Sequence, residues 1–315
     1  MLEQLRNYSP TVLSLLAGVT VVAVSFLSGL IPILGIFLNY FNALPLFLIS
    51  FAFGLQFGIR AATVAIFSFA LFGGAYHAIG FLMMTYVPFL LLSYFLLKEN
   101  AAGAFRYSLA DVFSKVNLCL LLTLIVLLLG LSFYGIDVRQ SVESFLEKAL
   151  PSNFTSVQPT AIAQLIDIFP SILTISWIST SFINAWTAYQ LLVRQNLSRR
   201  VIDTSKDIHF HAYWDIIVTF GLMLIMGHHY WPLPLLSILG KTIMLMGCLP
   251  LLALGFRICY LAVQKTDSKR FWFATIMIMS FLLGWPLLII VLLGFVEPWY
   301  GLAQRFADKN LPHNG

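Results

Sequence analysis

The chain has 315 residues, is 60% hydrophobic and 10% charged, and carries a formal net charge of +5. An average soluble domain is about 25% charged, so this composition excludes an ordinary water-soluble fold and points to a polytopic membrane protein. The basic balance fits the Lys and Arg excess of cytoplasmic loops rather than a nucleic-acid surface.

The start, Met1–Pro10, carries one Arg, and the apolar run after it is too long for a cleavable signal. The first helix therefore reads as an uncleaved anchor. Between Thr11 and Leu97 the one charged side chain is Arg60. A bilayer core about 30 Å thick takes about 20 residues per helix, so this run holds four spans. Continuing along the chain, the apolar segments are 11–30, 32–58, 61–78, 80–97, 116–135, 160–192, 213–229, 233–263 and 272–296. The fold class is all-α, a polytopic helical bundle of about eight to nine transmembrane helices. It is one integral membrane domain over 1–315: a set of front helices over 1–192, a basic loop 193–212 and further spans 213–315.

With the N-terminus in the cytoplasm, thirteen Lys and Arg residues fall inside and five outside or deep, as the positive-inside rule requires. Lys98–Lys115 and Arg194–His211 are then basic cytoplasmic connections. Within the outer segment Gly135–Gln158, Val138, Val142, Phe145 and Leu146 recur at helical spacing, with Arg139, Glu143, Glu147 and Lys148 on the other face. That pattern predicts an amphipathic helix on the membrane surface. Lys241 interrupts the 233–263 segment and makes some of it a candidate re-entrant or interfacial stretch. Trp231, Trp285 and Trp299, with Tyr230 and Tyr300, are placed as interfacial anchors. Cys119, Cys248 and Cys259 read as small apolar residues.

Phosphate-binding loops followed by Lys, His-Glu-x-x-His, Gly-x-Ser-x-Gly and Cys-x-x-Cys are all missing, so the chain has no Walker-type ATP site of its own. No cofactor and no metal are expected. The most informative helix follows Pro159. Gln164, Asp167, Ser171, Thr174, Ser181 and Asn184 recur at spacings of three or four, with Ile178 filling the gap, and form a polar stripe. Lipid offers such a stripe no hydrogen bonds, so it faces a neighbouring helix or a wet cavity. Both readings stay open on sequence. Asn39 and Asn42, in the irregular Gly35–Pro45 stretch, are placed to close a pocket or cap a broken helix. His77 has a packing reading and a ligand reading. The pairs His209/His211 and His228/His229 read as interfacial, and Arg60 and Arg257 as snorkelling cations. In the first span, Ser14-x-x-x-Gly18 and Ser25-x-x-x-Gly29 offer close-approach faces, for internal packing or for a partner subunit.

The order Ile31-Pro32-Ile33-Leu34-Gly35, Leu44-Pro45-Leu46-Phe47, Phe53-Gly54-Leu55-Gln56-Phe57-Gly58, Gly73-Gly74 and Pro88 resembles the substrate-binding (S) components of energy-coupling-factor transporters. With the tail Glu297-Pro298-Trp299-Tyr300-Gly301-Leu302 and Arg305-Phe306, it resembles more closely the YybS-like family of uncharacterised bacterial membrane proteins. The S-component resemblance implies a bundle with an outward-facing ligand pocket. A separate transmembrane coupling subunit and two ATPases would complete the machine, with span one as the docking helix. S components present Ala-x-x-x-Ala there, whereas this chain has Ser14 and Gly18, and its spans after residue 190 exceed the usual six helices.

The resulting expectation is a bacterial inner-membrane protein that binds or transports a small molecule, with no enzymatic activity. Asn39, Asn42, His77, Asp167, Ser171, Thr174 and Asn184 would line its pocket, and Ser14 and Gly18 its docking face. The alternatives are a membrane scaffold whose basic loops hold a cytoplasmic partner or anionic lipid, and an integral-membrane enzyme on lipid-linked substrates using Asp167 or a histidine.

Overall fold

The computed structural model describes residues 9–99, 106–149, 159–197, 213–264, 266 and 268–308. The regular elements there are helices, and the chain divides into two compact units: Met1–Val116 with Leu173–Asp207, and Asn117–Ile172 with Ile208–Gly315. Among the described residues, five helices are long and apolar enough to cross a bilayer, or six if one bent pair near the C-terminus is a single span. The protein is thus an all-helical polytopic membrane protein. Much of its exposed surface is apolar, including Leu71, Phe72, Ile216 and Leu282, as lipid-facing surface should be. Residues 100–105, 150–158 and 198–212, which hold a third of the first basic connection, most of the second, and His209 and His211, lie outside the described residues.

The first unit opens with α1 (Pro10–Leu30), α2 (Pro32–Tyr40) and α3 (Leu44–Phe53). The expected span 32–58 is divided here. At 1.5 Å per residue, α2 and α3 are each about 15 Å long or less, too short to cross. Next come α4 (Leu55–Phe81), a π-helical turn Leu82–Tyr86 and α5 (Val87–Leu97). This 43-residue run replaces the expected segments 61–78 and 80–97. It does not run straight. Gly74 sits at φ 80°, ψ 175°, a conformation open in practice only to glycine. Phe69 and Phe81 would lie about 18 Å apart along a straight helix, yet their ring centroids are 4.9 Å apart. The chain therefore bends sharply at Gly74. The π turn precedes Pro88, whose missing N–H breaks the helical ladder. The buried core of this unit joins Val21, Phe47, Ala61, Ala62, Phe89 and Leu92. Phe47 and Phe89 meet edge to face at 5.1 Å.

The chain passes between the units in α6 (Leu109–Phe133) and α8 (Pro159–Val193). Ser108 and Asp111 close the start of α6 by exchanging bonds, Asp111 accepting from the Ser108 N–H and the Asp111 N–H donating to Ser108 Oγ, a capping box. The predicted amphipathic helix is present as α7 (Val138–Ala149), with Asp137 Oδ1 accepting the first free N–H of Arg139 at 2.8 Å.

The second unit adds α9 (Tyr213–Tyr230), α10 (Pro234–Val263), α11 (Lys269–Leu283), α12 (Trp285–Tyr300) and α13 (Leu302–Asp308). Helix α10 is its centre, buried from Ser237 to Ile258 along one side. It is continuous through Lys241, which corrects the re-entrant reading of that stretch. A Cβ on Gly255 would run into the Ile290 carbonyl, and one on Gly294 into the Leu251 carbonyl. The α10–α12 contact is therefore backbone to backbone, through small residues as in other membrane helix pairs. The C-terminal signature has a structural reading too. Gly301 takes the left-handed conformation, and the Glu297 carboxylate accepts the Ala303 N–H at 3.0 Å, capping α13. All five expected aromatic anchors, Tyr230, Trp231, Trp285, Trp299 and Tyr300, are exposed.

Candidate functional site

Polar side chains gather in two different ways. In the first unit they surround cavities. The turn between α2 and α3 brings Asn39, Tyr40 and Asn42 opposite Ser176, Thr180 and Ser181 of α8, around a half-open cavity of about 350 Å³. Met84 and Thr85 of the π turn and Trp177 complete the wall. A second cavity of about 390 Å³ shares Asn39, Asn42, Met84 and Thr85 and is bounded by Ser25, Tyr76 and His77. Both volumes lie in the range that holds small organic molecules. No Asp, Glu, Lys or Arg lines either cavity among the described residues.

The broken helix at this site has a specific support. The last carbonyls of a helix lack intrahelical partners, and in a bilayer they cannot turn to water. Asn184 is fully buried and donates from Nδ2 to the Tyr40 carbonyl at 2.6 Å and to its own helix's Thr180 carbonyl at 2.8 Å. Asn42, also buried, donates from Nδ2 to Ser25 Oγ at 2.8 Å. The side-chain oxygens of both Asn42 and Asn184 are buried without a hydrogen-bond partner.

In the second unit the groups around Asp167 are closed on one another. Asp167 accepts from Lys241 Nζ at 2.7 Å and from Ser237 Oγ at 3.2 Å, and Arg139 Nε lies 3.8 Å from its other oxygen. An unpaired charge within a membrane-spanning helix is costly, and the ammonium and carboxylate here answer each other. One turn on, Ser171 donates to Thr242 Oγ1 at 3.0 Å, and Asn117 donates to the Met246 carbonyl at 2.8 Å.

The expected site residues therefore separate. Asn39, Asn42 and His77 come together around the cavities. Thr174 is buried in the same unit, and Asn184 stands behind the cavity wall. Asp167 and Ser171 belong to the second unit and engage Lys241 and Thr242. The stripe does continue along α8, but in the first unit its cavity-lining member is Ser181, joined by Ser176, Trp177 and Thr180. The i, i+4 pair Ser176 and Thr180 was visible as a second polar row on the same helix. His77 is exposed, and its Nδ1 donates to the Gly73 carbonyl of the preceding turn at 2.5 Å. Ser14 and Gly18 are buried: Ser14 Oγ donates to the Thr11 carbonyl at 2.7 Å, and a Cβ on Gly18 would strike the Ala61 carbonyl and Val64. Gly18 is used in packing α1 on α4. His228 Nδ1 donates to the Leu233 carbonyl at 2.9 Å, closing the turn after α9.

Comparison with known proteins adds the frame. A family model described as "Predicted membrane protein (DUF2232)" matches residues 19–297. The chain belongs to this DUF2232 family. The matched region runs from within α1 to near the end of α12, so the cavities and the Asp167 cluster fall inside the DUF2232 match. No curated protein and no solved structure matches the chain.

Proposed function

We propose that this DUF2232 protein is a small-molecule binding protein of the bacterial inner membrane, with the first-unit cavity as its ligand site and no catalytic role. The observation that supports it is the convergence of Asn39, Asn42, Thr180 and Ser181 on one uncharged cavity of about 350 Å³. A site without carboxylate or ammonium groups suits a ligand recognised by hydrogen bonds and stacking. The resemblance of the first spans to S components extends this reading to transport, with energy supplied by a separate coupling subunit and its ATPases. Ser14 and Gly18 are taken up by internal packing, so such a subunit would dock on another face of the chain. A cytoplasmic N-terminus and the YybS-like affiliation belong to the same proposal.

A second reading, a scaffold without a ligand, draws on Asp167 and Asn184, whose interhelical bonds serve architecture. Purification in mild detergent followed by mass spectrometry separates the two. The transport reading expects a co-purifying small molecule and an ATPase-bearing partner. A protein that carries neither under several growth conditions, yet brings down a stable cytoplasmic partner, is a scaffold.

A further inference from the structure

We infer that the connection from α5 to α6 binds the headgroup phosphate of an anionic phospholipid, held by Lys98, Arg106 and Lys115 around the Tyr107 ring. The apolar runs Leu55–Leu97 and Leu109–Phe133 are both long enough to cross the membrane, so the connection between them lies at headgroup depth. Lys98 directly follows α5, and Arg106 comes three residues before α6. The Arg106 N–H donates to the Lys98 carbonyl at 2.9 Å, which draws these two residues together. Lys115 stands six residues inside α6, about 9 Å along the helix. Its side chain reaches back, with Nζ 5.1 Å from the centre of the Tyr107 ring. The Arg106 guanidinium lies 5.5 Å from the same centre. Phe95 meets Tyr107 edge to face at 5.6 Å, and Lys98 lies over the adjacent Tyr94 ring and donates to its hydroxyl. Three cations are thus gathered along one aromatic row, Lys98 and Lys115 half-buried and Arg106 exposed. None of them makes an ion pair among the described residues. Asp111 accepts from the N–H and hydroxyl of Ser108, Glu99 is exposed, and residues 100–105 contain no Asp or Glu. Like charges held together repel, and a lysine set inside a span is costly while unpaired. A phosphate removes both defects, and the guanidinium fork matches its oxygens. Basic pockets at the ends of membrane helices suit anionic headgroups, which already reside at this depth. None of these residues lines either cavity, so the inference stands apart from the ligand reading.

Native mass spectrometry tests this on the purified full-length protein in detergent, titrated with phosphatidylglycerol, phosphatidylcholine or inorganic phosphate. Phosphatidylglycerol is expected to form a discrete adduct about ten-fold more tightly than phosphatidylcholine, whose choline cancels the phosphate charge. Lys115→Gln and Arg106→Gln should each weaken that adduct about five-fold. Arg60 provides the control. Because α4 and α5 fold back on each other at Gly74, it lies at the same end of the first unit, a cation over the Phe57 ring. Arg60→Gln removes the same charge and should change binding by less than about two-fold. Equal binding of the two lipids, or an equal loss with Arg60→Gln, overturns the site, since diffuse charge would then explain the binding. Displacement of the phosphatidylglycerol adduct by an equal concentration of inorganic phosphate overturns the lipid as its occupant. The comparison of the two lipids on the unaltered protein decides the matter even if Lys115→Gln does not fold.

Discussion

The Asp167 cluster of the second unit and the cavity-side groups of the first are built in opposite ways. In the second, every group of the Asp167 cluster answers another: carboxylate, ammonium, guanidinium and hydroxyl meet within 3.8 Å. In the first, the polar groups around the α2–α3 turn carry no charge and line a half-open space, and the amide oxygens of Asn42 and Asn184 there are unanswered. The difference teaches that charge is a poor guide to function in this chain. Its most conspicuous intramembrane charges, Asp167 and Lys241, neutralise each other, whereas the inconspicuous Asn and Ser residues are the ones left available.

That contrast can be broken from either side. The largest effect is expected from Lys241→Ala, which strands a part-buried carboxylate; removing one partner of such a pair costs about 3 kcal/mol. Thermal unfolding in detergent should show a large drop in Tm, and adding Asp167→Asn should restore much of it. An unchanged Tm for Lys241→Ala would mean that the cluster does not hold the second unit together. Next comes Asn184→Leu, which leaves the Tyr40 carbonyl without its donor and should cost about 2 kcal/mol. Proteolysis near residues 41–43 should then become faster; if the cleavage pattern matches the parent, the amide is not what supports the break. The smallest effect is expected from Arg139→Ala. Its side chain is 41% exposed and its contact is long, so stability should change by less than about 0.5 kcal/mol. A loss as large as that of Lys241→Ala would make the surface helix α7 a member of the lock.

The sequence made the class of fold plain, because membrane composition and helical period are local properties. The amphipathic α7 was legible for the same reason: its apolar and charged faces lie within one turn of each other. The stripe on α8 was legible as a stripe but not as two things. Whether a polar residue meets a cavity or a partner depends on a helix 70 or more residues away, as Ser171 meets Thr242, and no spacing within α8 encodes that. Span boundaries failed where glycine decides them. The bend at Gly74 looked like a gap between two segments near residue 79, because hydropathy does not register backbone conformation. Lys241 looked like an interruption because its counter-charge is 74 residues distant in sequence.

The bond from Asn184 to the Tyr40 carbonyl also bears on how the protein is made. The two residues are 144 positions apart, and a ribosome adds roughly 5–20 residues per second. For roughly 7–30 seconds the broken pair α2–α3 exists without the amide that completes it. The break is therefore finished late, when α8 arrives, and the cavity is among the last features of the first unit to form. A chain truncated before residue 184 should insert its early helices yet leave this corner unset, a prime target for quality-control proteolysis.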